Sequence, residues 1–210
     1  MPVGRTCSFN PPTVAHLAVA EAARDQCGLE RVDLIVSRDA LGKHPADLVS
    51  VAERVEVLRS VAATRPWLGV AVTDDRLLTD IAADYDVVVV GADKWAQVLD
   101  PAWYGGSLAA RDTALARLPR VALAPRAGHG VDAVADVHPS LVLDVVVLEV
   151  HPDHHVVSAS QVRAGRDEWM LPEAAAFAHR HAVWRGVREA PGSEWSAGVE
   201  RGPDPDPGDR

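Results

Sequence analysis

Three separated stretches of this chain carry residue types suited to holding phosphate. The first is Ser8-Phe9-Asn10-Pro11-Pro12-Thr13-Val14-Ala15-His16. It falls where an extended segment ends and a helix begins, and the free backbone N–H groups of a helix start favour anions. Thr13 and His16 are three residues apart, so they share one face of the first turn and can address the same phosphate. The second stretch is Gly91-Ala92-Asp93, which closes a run of valines. The third is Val157-Ser158-Ala159-Ser160-Gln161-Val162-Arg163. Its hydroxyls can cap a helix or bind phosphate with the same geometry, and the planar fork of Arg163 suits phosphate. Ordinary roles compete at each position: caps for Thr13, Asp93, Ser158 and Ser160, and packing for Trp95 and Trp103.

His151-Pro152-Asp153-His154-His155 offers imidazoles and a carboxylate, which are zinc-ligand types. No second cluster accompanies it, and Cys7 and Cys27 lack ligand spacing. It reads as a polar loop leading into Ser158, and no protein metal site is assigned.

Positioning these stretches requires a scaffold, and the hydrophobic pattern supplies one. Short Val-rich runs read as strands buried on both faces: Val32 to Val36, Leu68 to Val72, Asp86 to Val90, Val121 to Ala124 and Val145 to Glu149. A first strand over Pro2 to Cys7 is weak, since it contains Arg5 and no apolar run. Helical segments alternate with the strands. Thr13 to Cys27 stops at Gly28, and Val51, Val55, Leu58 and Ala62 recur at helical spacing behind Ser50 as N-cap. Ser107 to Leu118 stops before Pro119, and Glu173 to Val187 follows Pro172. This alternation predicts an α/β fold, a parallel sheet of five to six strands with helices on both faces. Such sheets bind ligands in strand-to-helix turns at their carboxyl edge. The three stretches, His16 and Arg163 among them, are therefore expected at one rim.

The 210 residues suit one domain, 1–188, followed by a Pro/Gly/Asp-rich tail, 189–210, too polar to offset its ordering entropy. The net charge is −9, and the tail's six acidic and two basic residues supply −4 of it. No Lys/Arg block stands out, which argues against nucleic acid as a partner. No apolar run approaches the ~20 residues of a membrane span, and Met1 to Thr6 has no apolar signal region. Cys7 and Cys27 read as reduced thiols in a cytoplasmic protein. The oligomeric state, a homo-oligomer included, stays open.

The first stretch resembles the signature of the nucleotidylyltransferase superfamily and, within it, of the nicotinamide and nicotinate mononucleotide adenylyltransferases. That pattern is Gly-Ser-Phe-Asn-Pro, two residues, His or Thr, two more, then His. The resemblance implies a Rossmann-like, doubly wound fold. It implies transfer of AMP from ATP to a mononucleotide in NAD biosynthesis, with Mg²⁺ bound with ATP and release of pyrophosphate. It puts Ser8, Phe9, Thr13 and His16 at ATP, with His16 donating to the α-phosphate. Lys43 falls where the family has a basic residue near the triphosphate, and Arg54 matches a recurrent helical Arg. Gly91-Ala92-Asp93 matches a segment touching both nucleotides, so Asp93 is expected at ATP and at the acceptor. Asn10 and Trp103 are expected on the acceptor side, Trp103 against a pyridine ring. Val157 to Arg163 matches Ile-Ser-Ser-Thr-x-Ile-Arg, which puts Ser158, Ser160 and Arg163 on the triphosphate. His16, Lys43 and Arg163 are the implied catalytic group.

Two features depart from that pattern. Cys7 stands where the family has Gly, and Thr73 to Asp84 is short and lacks an aromatic clamp. They leave room for other readings: CTP with an alcohol phosphate, ATP with phosphopantetheine, or a nucleotide-binding module without catalysis.

Overall fold

Val87-Val88-Val89-Val90 shows how the scaffold is built. Side chains alternate across a strand, so Val87 and Val89 enter one core while Val88 and Val90 enter another on the opposite face. The neighbouring strand repeats this, with Ala122 and Ala124 on the first face and Val121 and Leu123 on the second. A strand covered on both faces is the mark of a parallel sheet between two helical layers.

The computed structural model describes residues 2–38, 49–129 and 141–184. Six strands, β1 (Pro2–Thr6), β2 (Arg31–Ser37), β3 (Leu68–Thr73), β4 (Val87–Gly91), β5 (Arg120–Ala124) and β6 (Val145–Val147), form one sheet. Its order is β3-β2-β1-β4-β5-β6 and every pair is parallel. The helices are α1 (Val14–Gln26), α2 (Val51–Ala62), α3 (Leu78–Ile81), α4 (Ala92–Leu99), α5 (Leu108–Leu115), α6 (Ala159–Arg163) and α7 (Pro172–His181). Apolar residues of α1, α2 and α7 pack on one face of the sheet, and those of α3, α4 and α5 on the other. The chain leaves β1 toward β2 on one side and β4 toward β5 on the other. Between β1 and β4 the strand order reverses, and a crevice opens there at the carboxyl edge.

β1 lies at the centre of the sheet despite its weak sequence pattern. It pairs with β2 from Pro2 to Thr6 and with β4 from Val3 to Arg5. Gly4 explains part of the weakness: a Cβ there would come within 2.7 Å of Ile35 and 3.0 Å of Tyr85. Neighbours fill the space that a strand residue of its own would otherwise occupy.

The last helix is shorter than the expected Glu173 to Val187. It ends at His181, because Ala182 adopts φ 54° and turns the chain left-handed. Trp184 then folds back, its ring tilted at 41° to that of Phe177 with centroids 5.9 Å apart. Lys43 and the expected tail, 189–210, lie outside the described residues. No helix among the described residues is long and apolar enough to cross a membrane.

Candidate active site

The loop from Cys7 to Thr13 connects β1 to α1 beside the crevice. Thr13 caps α1: its hydroxyl accepts the N–H of His16 at 3.4 Å. In return the backbone N–H of Thr13 donates to His16 Nδ1 at 2.9 Å. This is a reciprocal capping box with an imidazole in the place usually taken by Glu or Gln. The consequence is chemical. With Nδ1 accepting, the neutral ring carries its proton on Nε2. Phe9 packs against the imidazole with centroids 5.0 Å apart. Nε2 lies 3.1 Å from Cys7 Sγ.

His16, Cys7, Ser8 and Thr13 line a cavity of about 340 Å³. Asp93 and Trp103 line it from the β4 side, and Ser158 and Ala159 from the third stretch. The three sequence-distant stretches thus share one rim. Gly91 is a glycine for a local reason: a Cβ there would meet Asp93 Oδ1 at 2.7 Å. The carboxylate folds back over it. Trp103 is 39% exposed, in a 3-10 turn (Pro101–Tyr104) held by Tyr104, whose hydroxyl donates to the Val98 carbonyl at 2.9 Å. Ser158 Oγ caps α6 through the N–H of Gln161 at 3.2 Å and lies 3.1 Å from Ser160 Oγ. Ser160 is exposed and does not line the cavity, whereas the more buried Ser158 does.

Three expected contacts are turned elsewhere. Asn10, expected at the acceptor, is 1% exposed. Its Oδ1 accepts the indole N–H of Trp184 at 2.6 Å and the N–H of Val49 at 3.3 Å. Its side chain braces the loop instead of reaching the cavity. Arg163, expected on the triphosphate, donates to the Asn10 carbonyl and, at 3.3 Å, to that of Ala159. It binds the same loop as His16 but is not on the cavity wall. Phe9, expected at ATP, is 0% exposed and packs in the core against the His16 ring. The recurrent helical Arg54 is likewise a brace. It is buried, donating to the carbonyls of Ser8 at 2.8 Å and Val49 at 2.9 Å. Burial pulls its pKa below the ordinary guanidinium value, and the nearby Cys7 opposes that shift.

Four cavity-lining residues with cationic or imidazole side chains were not singled out by sequence reasoning as nucleotide contacts: Arg76, Lys94, Arg126 and His154. Arg126 Nε lies 3.6 Å from Asp93 Oδ2, and its Nη1 donates to the Val157 carbonyl at 3.3 Å. It links the second and third stretches. A signal did exist, since Arg76, Lys94 and Arg126 each follow a strand by a few residues at the carboxyl edge. His154 sat in the loop weighed for zinc. Among the described residues the cavity wall carries three permanent cations, two imidazoles and one carboxylate, Asp93, a balance that suits a polyanionic ligand.

A family model described as cytidylyltransferase-like matches residues 6–165, a span containing all three stretches. The chain belongs to the cytidylyltransferase-like family. As a member of that family it is a nucleotidyltransferase, and curated relatives narrow the kind. A probable nicotinate-nucleotide adenylyltransferase of Salinibacter ruber is 31% identical, over 85% of this chain and 94% of the relative. Another, of Gloeobacter violaceus, is 28% identical over 84% and 92%. Among solved structures, the nicotinic acid mononucleotide adenylyltransferase of Plasmodium falciparum complexed with NaAD superposes with TM-score 0.62. It covers 87% of this chain and 96% of its own at 10% identity, a likeness of fold. That likeness agrees with the Rossmann-like sheet order.

Proposed function

We propose that this nucleotidyltransferase transfers AMP from ATP to nicotinate mononucleotide, releasing pyrophosphate, as a step of NAD biosynthesis in the cytoplasm. Nicotinate mononucleotide is the acceptor class named for its relatives. The observation that carries the chemistry is the Thr13 N–H held by His16 Nδ1, which leaves Nε2 as the donor of the neutral ring on the wall of a cationic cavity.

In this reading a phosphate oxygen of the acceptor attacks the α-phosphorus of ATP. The bond from that phosphorus to the bridging oxygen breaks, and the electron pair leaves with pyrophosphate. A phosphate monoester is already a nucleophile, so catalysis is positioning plus stabilisation of charge. His16 donates to the α-phosphate oxygen as charge builds there. Arg126 and the Ser158 hydroxyl hold the leaving phosphates, and Arg76, Lys94 and Trp103 border the acceptor. Lys43 remains part of the proposed catalytic group from the family resemblance. Arg163 acts by holding the Asn10 carbonyl, which keeps the loop in place. Mg²⁺ would enter on the triphosphate and screen its charge.

Pyrophosphate release from a panel of triphosphates and acceptors tests the reading. Turnover is expected with ATP and nicotinate mononucleotide. Preference for CTP, or for phosphopantetheine, would replace it with another branch of the family. His16→Ala is expected to lower kcat on the order of 10²–10³-fold, with a smaller effect on the KM for ATP. A variant within threefold of the native rate would remove His16 from the mechanism.

A further inference from the structure

Cys7 and His16 lie nine positions apart in the chain, yet their polar atoms are 3.1 Å apart on the cavity wall. The direction of that contact is set elsewhere. Thr13 gives its backbone N–H to His16 Nδ1, so the neutral ring offers its proton from Nε2, toward the sulfur. Phe9 packs against the ring, and Thr13 is buried beneath it, so the imidazole is held in this orientation.

We infer that Cys7 is a positioning residue whose sulfur holds the Nε2–H of His16 in the nucleotide-free protein and yields it to a phosphate oxygen when nucleotide enters. The inference rests on the reading above that His16 meets a phosphate. Sulfur is a weak acceptor. A phosphate oxygen is charged and accepts about twice as strongly. The exchange therefore runs toward phosphate, while the thiol keeps the donor aimed into the cavity beforehand. Nothing is transferred covalently; one hydrogen bond replaces another. The strength of the resident acceptor then tunes nucleotide affinity, since each ligand must displace it.

A rival explanation of any Cys7 effect is bulk, because the side chain lines the cavity. The two explanations give opposite signs for one substitution. The oxygen of Cys7→Ser accepts more strongly than sulfur but is smaller. Displacement predicts that Cys7→Ser binds ATP more weakly than the native protein, by roughly two- to tenfold, the range of one net hydrogen bond. Cys7→Ala should bind more tightly by a similar factor. Bulk predicts tighter binding for both.

The experiment is calorimetric titration of ATP into the native chain, Cys7→Ser and Cys7→Ala, each with and without His16→Ala. The expected affinity order is Ala, Cys, Ser, collapsing to a single value when His16 is absent. Tighter binding by Cys7→Ser, or an order that survives His16→Ala, overturns the inference. Side-chain ¹⁵N resonances of His16 in the nucleotide-free native protein add a second readout that needs no variant. Protonated Nε2 with accepting Nδ1, shifting when ATP is added, supports it; the opposite tautomer overturns it. Should His16→Ala retain full turnover, the reading of His16 falls and takes this inference with it. If His16→Ala is inactive and the Cys7 order is absent, only the role of Cys7 falls.

Discussion

Asn10 gathers two donors onto one amide oxygen, the indole N–H of Trp184 and the backbone N–H of Val49, in a place almost closed to solvent. Asn10→Ala leaves both donors without that acceptor, at about 1–3 kcal/mol for each buried group left unpaired. Denaturant unfolding should therefore show a lower midpoint, with the loss in stability exceeding any selective rise in acceptor KM. Arg126 belongs to the opposite class. It lines the cavity and holds Asp93 and the Val157 carbonyl. Arg126→Ala should raise the KM for ATP about 10- to 100-fold, the range of a charged hydrogen bond, with little change in melting temperature. The sequence made the residue types of the site legible but not their directions. Spacing places Thr13 and His16 on one turn. It carries no trace of a partner as distant as Trp184, so it could not show that Asn10 faces inward.

Among the elements, α2 was legible because its start signal is local. Ser50 and Glu53 form a reciprocal box within four residues. Ser50→Ala should cost about 1 kcal/mol, within a range of roughly 0.5–2, measured by thermal unfolding. The hydrogen bonds from Ser50 hold the Glu53 carboxyl below its usual value. A depressed folded-state pKa gives stability that is present above the unfolded value and lost as pH falls. The cost of Ser50→Ala should therefore shrink as pH drops through the lowered Glu53 value. At the head of α4, Gly91→Ala would push a Cβ against Asp93 Oδ1. It should displace that carboxylate from Arg126 and lower turnover more than stability, as paired activity and unfolding measurements would show. β1 and the end of α7 were the poorly legible elements. The first is shaped by what Ile35 and Tyr85 occupy around Gly4, the second by a left-handed Ala182, beyond which Trp184 enters the core.

Over the whole molecule, the alternation of Val-rich runs and helices announced a parallel sheet, and the order β3-β2-β1-β4-β5-β6 puts its crevice between β1 and β4. The order itself was not readable from periodicity, because every buried strand presents the same pattern to its neighbours. The fold is closed by the bond from Trp184 to Asn10, across 174 positions of sequence. Trp184→Phe keeps an aromatic ring near Phe177 but removes the N–H donor together with part of the buried ring system. It should cost more than about 1 kcal/mol, the net worth of one hydrogen bond, in unfolding measurements, because the lost ring atoms also leave a cavity. This closure also has a temporal side. A ribosome making roughly 5–20 residues per second needs on the order of 10–35 s to travel from the Asn codon to the Trp codon. Throughout that interval the nascent ligand loop lacks its clasp, so competence to capture nucleotide should arrive only after the Trp184 segment has been made.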